Sequence, residues 1–148
     1  AATAARRQTG VSEFAHQSAL FEWARQPAVR AKFKGIDLLE GSMNGVKLTK
    51  AQAGKAKAAG MLKGSHDIKL PVRRGQYIGL SIELKYGKNK PTEEQLWYGQ
   101  RLTEEGWKVE YAWSWLDAKG IIIEYLSQGD LFADTHAQSG SIAEPKVL

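Results

Sequence analysis

The sequence predicts an α/β fold with a mixed central sheet flanked by helices, on three observations. Two short alternating segments, 66–70 and 77–85, are separated by the turn-forming stretch 71–76. A capping-box signature, Thr92-Glu-Glu-Gln95, opens a helical stretch through Leu102 that Gly106 stops. A strand-like segment, 107–112, then runs into a last amphipathic segment, 114–126. Helix, strands, helix, strand, helix is the order of a sheet layered by helices.

The elements follow in chain order. Ser12 reads as the cap of a first helix with Glu13 in its first turn, and Phe14, Ala15, Leu20, Phe21 and Trp23 supply its apolar contacts. Pro27 interrupts that helix or opens a second short one at its first position, where a missing N–H costs nothing. Residues 36–39 read as a short strand, with a turn at Asn44-Gly45. Thr49 caps a helix rich in Ala, Lys and Gln that Gly60 ends. Along 77–85, Ile78, Leu80, Ile82 and Leu84 fall on one face, and Tyr77, Gly79, Ser81, Glu83 and Lys85 on the other. The expected organisation is a flexible N-terminus over 1–11, one domain over 12–126 and a loosely ordered tail over 127–148, rich in Ser, Gly, Asp and Ala.

Composition narrows the class. A chain of 148 residues, 43% hydrophobic and 25% charged, has the make-up of one globular domain with a single core. Membrane insertion is not expected, because no apolar run approaches the roughly 18 residues a span needs. The N-terminal segment lacks the apolar stretch of a signal peptide. With no cysteine, disulfides, thiolate metal sites and a Cys nucleophile all drop out, and any metal must be held by oxygen or imidazole. Absence of cysteine suits a cytoplasmic protein. A formal charge of +5 favours polyanionic partners. No phosphate-binding loop, GxSxG, HExxH or dinucleotide fingerprint is present.

The chemistry concentrates at Glu83-Leu84-Lys85. A strand puts Glu83 and Lys85 side by side on one face and Leu84 on the opposite one. If 66–70 pairs with this strand as a hairpin, Asp67 approaches Glu83 at the end of the sheet. Two carboxylates forced together repel, and a hard divalent cation relieves the repulsion by taking oxygen ligands from both. The plain alternative is a solvated Glu-x-Lys pair on an edge strand. Basic residues cluster at Lys47, Lys50, Lys55, Lys57 and Lys63 on or near the Ala-rich helix, and at Arg73, Arg74, Lys88 and Lys90 on loops expected to flank the centre. As a set they are candidates for tracking a DNA backbone, whereas singly each reads as solvated charge. Trp97, Trp107 and Trp113 read as core or interface residues, and His16 and His136 are too scattered for a ligand pattern.

An ordered set of short motifs resembles the VRR-NUC family, a branch of the PD-(D/E)xK nucleases that includes small stand-alone phage and prophage proteins. The set comprises Glu13-Phe-Ala-His-Gln17, Asn44-Gly45, Gly60-Met-Leu-Lys-Gly64, Gly64-Ser-His-Asp67, Ile82-Glu83-Leu84-Lys85, the stretch leading to Gln95, and 97–106 running into Trp107-Lys-Val. The resemblance implies a restriction-endonuclease-like fold and hydrolysis of DNA phosphodiester bonds with Mg²⁺ or Mn²⁺. It also implies structure-selective action on branched DNA as a homodimer, like a Holliday-junction resolvase, in a bacterial or phage-infected cytoplasm. By position it makes Asp67 and Glu83 metal ligands, the Leu84 backbone carbonyl a further ligand, Lys85 the catalytic lysine and Gln95 a glutamine of the centre. Glu13 is a candidate ligand from the first helix, where the other reading is a helix-dipole glutamate. Gln95 also reads as the third residue of the Thr92 capping box, a structural task that stands level with a role in the centre. His66 stands where the family usually has proline, and reads either as altering metal or phosphate contacts or, as the preferred reading, as a surface substitution without a role. A nicking or end-processing nuclease on the same site, and a DNA-binding module without turnover, are the competing readings.

Overall fold

The computed structural model describes residues 2–42 and 48–129, with the side chains described from residue 13 onward. Its elements are α1 (Ala2–Ala24), α2 (Pro27–Lys32), β1 (Glu40–Gly41), α3 (Lys50–Ala58), β2 (Ile68–Leu70), β3 (Gly79–Leu84), α4 (Glu93–Glu104), β4 (Trp107–Ala112) and α5 (Trp115–Leu126). The strands form one mixed sheet in the order β1-β2-β3-β4, antiparallel at the first two junctions and parallel between β3 and β4. The α/β class and the mixed sheet are as the sequence predicts.

Local chemistry accounts for most boundaries. Pro27 does open α2. Thr49 and Thr92 each cap a helix with a complete capping box, completed by Gln52 and Gln95 respectively. Ser114 caps α5 by accepting from the Asp117 amide. Two expectations fail. Ser12 does not start the first helix, because α1 begins at Ala2 and runs through it. Residues Ile36–Leu38 form a 3₁₀ turn, not a strand: Gly35 at φ 96° turns the chain, and the Leu38 and Leu39 amides bond back to the Gly35 and Ile36 carbonyls. Apolar density there reflects burial of Ile36 under the sheet, not pairing. The turn expected at Asn44-Gly45, and the tail beyond residue 129, lie outside the described residues.

The core lies on one face of the sheet. Leu80, Ile82 and Leu84 of β3 and Ile68 and Leu70 of β2 pack with Leu20 and Trp23 of α1 and Ala118, Ile122 and Tyr125 of α5. Burying such side chains contributes about 1.5–3 kcal/mol each. The Tyr125 hydroxyl donates to the Val72 carbonyl, which satisfies the one polar atom of a fully buried ring. α4 covers the opposite face, mainly over β4. Hence β3 is buried along its whole length on both faces, and the expected polar face of this strand is an interior one. Ile78, just before the strand, is the exposed exception.

Gly64 joins the α3 region to the sheet. It adopts φ +89°, and a Cβ there would lie 2.5 Å from the Glu94 backbone carbonyl carbon and oxygen. The chain therefore passes hard against the first turn of α4 just before Asp67. Gly64→Ala adds left-handed strain to a backbone collision. It is expected to lower unfolding free energy by about 1–3 kcal/mol in urea titrations. A wild-type midpoint in the variant would mean that this approach is not close.

Candidate active site

The pairing of β2 with β3 puts Ile68 opposite Ile82 and Lys69 opposite Ser81, which brings Asp67 to Glu83 one step further along. The two acids are interlocked through the backbone. The Asp67 amide donates to Glu83 Oε2 at 3.1 Å, and the Leu84 amide donates to Asp67 Oδ2 at 3.0 Å. Each carboxylate is thus held by the strand that carries the other. The Asp67 carbonyl accepts from the Ser42 amide at 2.6 Å, and the Ser42 carbonyl accepts from Gln17 Nε2 at 3.0 Å. A chain of bonds from α1 through the end of β1 therefore fixes where β2 begins.

Glu83 is 3% exposed. An acid so buried needs every acceptor position met. Besides the Asp67 amide, Gln95 Nε2 donates to Glu83 Oε1 at 2.6 Å, and Lys85 Nζ lies 3.3 Å from the same oxygen. Lys85 is itself only 10% exposed in its side chain, which gives the ion pair a low-dielectric setting. The solvated edge-strand alternative for Glu-x-Lys is therefore excluded. Gln95 combines the two readings: its Oε1 accepts from the Thr92 amide at 2.9 Å to close the capping box, while its Nε2 reaches Glu83.

His66 is the clearest correction. It is 1% exposed, not on the surface. Its Nδ1 is 2.8 Å from Ser81 Oγ and its Nε2 is 3.0 Å from the Gln95 carbonyl. The rings of Tyr98 and Tyr111 pack edge-on against it, with centroids 4.9 and 5.5 Å away. Gly99 makes room: a Cβ there would sit 2.6 Å from the Tyr111 hydroxyl and 3.2 Å from His66 Cε1. Burial pushes the His66 pKa down, and the nearby Lys69 and Lys85 charges act in the same direction. The sequence signal for this residue is its place directly before Asp67, two residues ahead of β2.

The remaining candidates divide by position. Glu13 comes close enough to raise the Asp67 pKa electrostatically, but its Oε1 accepts from Asn89 Nδ2 at 3.3 Å. Among the described residues no group of three or more His, Cys, Asp or Glu side chains is placed to hold a metal ion, so Asp67 and Glu83 form a pair. Lys88 and Lys90 are exposed on the loop that follows β3, at the end of the strand that carries Glu83. That loop is tied down by Trp113 Nε1, which donates to the Asn89 carbonyl at 3.0 Å. Lys50, Lys55 and Lys57 are exposed on α3, a helix with no buried residue, and Lys63 pairs with Glu94 at 3.2 Å. Lys47 lies outside the described residues. Arg73 and Arg74 do not flank the centre. They sit in the turn at the other end of the β2–β3 hairpin, where Arg74 donates to the Arg73 and Lys34 carbonyls. Trp97 and Trp113 are half-exposed, not core, with 51% and 42% of their surface accessible.

Two carboxylates held together are a donor set suited to a hard divalent cation. Its electrostatics point the same way. Desolvation raises the Asp67 pKa, and desolvation followed by the Asp67 charge pushes Glu83 up to about 8. Lys85 offsets only part of the negative charge of this buried pair.

Comparison with known proteins agrees with this geometry. No family model and no curated protein matches the chain. A solved VRR_NUC domain protein does, with a TM-score of 0.67 and 28% identity, across 80% of this chain and 91% of its own. The likeness extends to sequence as well as fold, in keeping with the resemblance carried by the motifs.

The raised pKa values fix a pH dependence. Glu83 holds its proton more tightly folded, near 8, than at its ordinary value of 4.5. The folded state thus binds more protons than the unfolded one between those values, and stability falls as pH rises through that window. Metal-free protein is expected to melt at progressively lower temperature from about pH 5 to about pH 8, and Glu83→Gln to flatten the slope. Identical slopes in the two proteins would remove Glu83 as its source.

Proposed function

With the VRR-NUC fold as premise, we propose that this chain is a metal-dependent nuclease hydrolysing DNA phosphodiester bonds, its centre built from Asp67, Glu83, Lys85 and Gln95. The observation that carries the reading is the buried Asp67–Glu83 pair, interlocked across two strands with Lys85 beside it. Burying two acids and a lysine together costs several kcal/mol per ion and is hard to explain by stability alone. Groups so perturbed concentrate at functional sites.

Asp67 and Glu83, with the Leu84 carbonyl at the same end of β3, are the residues that would hold Mg²⁺ or Mn²⁺. A cation there supplies Lewis-acid activation of the phosphodiester and of water. The chain's own groups do the rest. Lys85 orients the attacking water and offsets charge that develops on the phosphoryl oxygens. Gln95 keeps Glu83 turned towards Asp67, and burial under α4 limits competing solvent. Water attacks phosphorus, the bond to one bridging oxygen breaks, and the products are a phosphate monoester and a hydroxyl. Exposed Lys50, Lys55, Lys57, Lys63, Lys88 and Lys90 are the proposed phosphate contacts, with Lys47 a further candidate. Action as a homodimer on branched DNA is the preferred finer reading, supported by the family resemblance, since a two-fold dimer presents two centres to a two-fold junction. Residues 12–126 are the proposed nuclease unit.

The test is cleavage of labelled linear, nicked, flapped and four-way-junction DNA with Mg²⁺, Mn²⁺ or EDTA. Wild type is expected to cut only with metal, and Glu83→Ala to abolish cutting while DNA binding persists. Lys85→Ala is expected to slow it by about 10²–10³-fold. Preference for the junction supports the resolvase reading, and preference for nicks or ends the alternative specificity. Wild type that binds every substrate and cuts none would leave a binding module.

A further inference from the structure

His66 joins three parts of the site with one ring. It directly precedes Asp67, it meets Ser81 in the middle of β3, and it meets the Gln95 carbonyl in the first turn of α4. A carbonyl only accepts, so Nε2 carries the proton and donates to Gln95. Nδ1 is then the lone-pair nitrogen and accepts from the Ser81 hydroxyl. Both ring nitrogens are thus committed in the neutral form, and the flanking tyrosines leave the ring little freedom to turn. The other bonds to Gln95 at this end of α4 are local: its amide donates to Thr92 Oγ1 at 3.2 Å, and its side chain accepts from the Thr92 amide. Those bonds shape the turn but do not set its distance from the sheet. Contacts across to the sheet do, through His66 at 3.0 Å and Tyr111 Oη at 3.4 Å, both on the Gln95 carbonyl. The same residue's side chain reaches Glu83 Oε1 at 2.6 Å, a bond with little tolerance for displacement.

We propose that His66 is a positioning residue of the centre: by holding the Gln95 carbonyl against the sheet, it sets the depth at which the Gln95 amide meets Glu83, and so the orientation of Glu83. The effect on turnover rests on the nuclease reading above, whereas the effect on Gln95 does not. A group acting through a ligand's hydrogen-bond partner typically changes activity or metal affinity by 10–100-fold without touching substrate.

Two readouts separate this role from plain core packing. In metal-free ¹H–¹⁵N spectra, the Gln95 side-chain amide is assigned by its loss in Gln95→Glu. Its two protons are expected to be widely split in wild type, to converge towards free-glutamine positions in folded His66→Phe, and to return in His66→Gln, whose amide donates to the same carbonyl. In cleavage assays, His66→Phe is expected to lower kcat by about 10–100-fold with KM nearly unchanged, and His66→Gln to recover most of it. If His66→Phe does not fold, His66→Asn replaces it, since Asn retains an acceptor for Ser81 but falls short of Gln95. An unmoved Gln95 amide in a folded variant lacking the donor would overturn the proposal, whatever the activity. So would equal kcat in the Gln and Phe variants. Wild type without cleavage would sink the nuclease reading alone, because the amide spectrum still decides the role of His66.

Discussion

Two carboxylates on neighbouring strands, each gripped by a backbone amide of the other strand, are the constraint around which the rest of this molecule is arranged. Asp67 Oδ2 takes the Leu84 amide and Glu83 Oε2 takes the Asp67 amide. This exchange is possible only in the observed register, with Ile68 opposite Ile82. A slip of one residue would turn Glu83 into the apolar core and Leu84 towards α4. Burial then forces further partners onto Glu83, and they come from different elements: Lys85 from the end of its own strand and Gln95 from the start of α4. The position of α4 over the sheet, the glycines that let it approach and the cap that starts it all serve one buried acid.

Much of this was legible because it is written in local chemistry. The Thr92 and Thr49 boxes, the glycine stop at Gly106 and the alternation of 79–84 are short-range rules that tertiary packing did not override. Asp67, Glu83 and Lys85 could be brought together from sequence because strand periodicity and one turn suffice. Failures came where the same composition admits two outcomes. An apolar run such as 36–39 buries Ile36 equally well as a strand or as a 3₁₀ turn, and the choice is made by Gly35 and the packing above it. Sequence proximity suggests a place near the centre for Arg73 and Arg74, yet a hairpin sends its turn to the far end from its open strands.

Gln95 and His66 show a deeper limit. A capping box is complete without any tertiary partner, so the pattern gives no hint that the Gln95 amide has a second bond to make. A surface place for His66 fits a residue type that is more often exposed than buried. Its burial depends on α4 folding over it, with Tyr98 and Tyr111 supplying the walls and Ser81 and the Gln95 carbonyl meeting both nitrogens. Only the assembled structure makes a buried histidine inexpensive here, and it does so by placing that histidine between the acids and the helix that serves them.

Asp67 and Glu83, read as a divalent-cation site, would take up metal at the expense of the proton that burial keeps on Glu83. Calorimetric titration of the protein with Mn²⁺ at about pH 7, in two buffers of different ionisation enthalpy, tests it most directly. Saturable binding with release of about one proton is expected in wild type, since a carboxyl held near 8 must give up its proton to become a ligand. That binding is expected to be lost in Asp67→Asn and Glu83→Gln. Binding of equal strength in wild type and Glu83→Gln, with no buffer dependence in either, would contradict this reading.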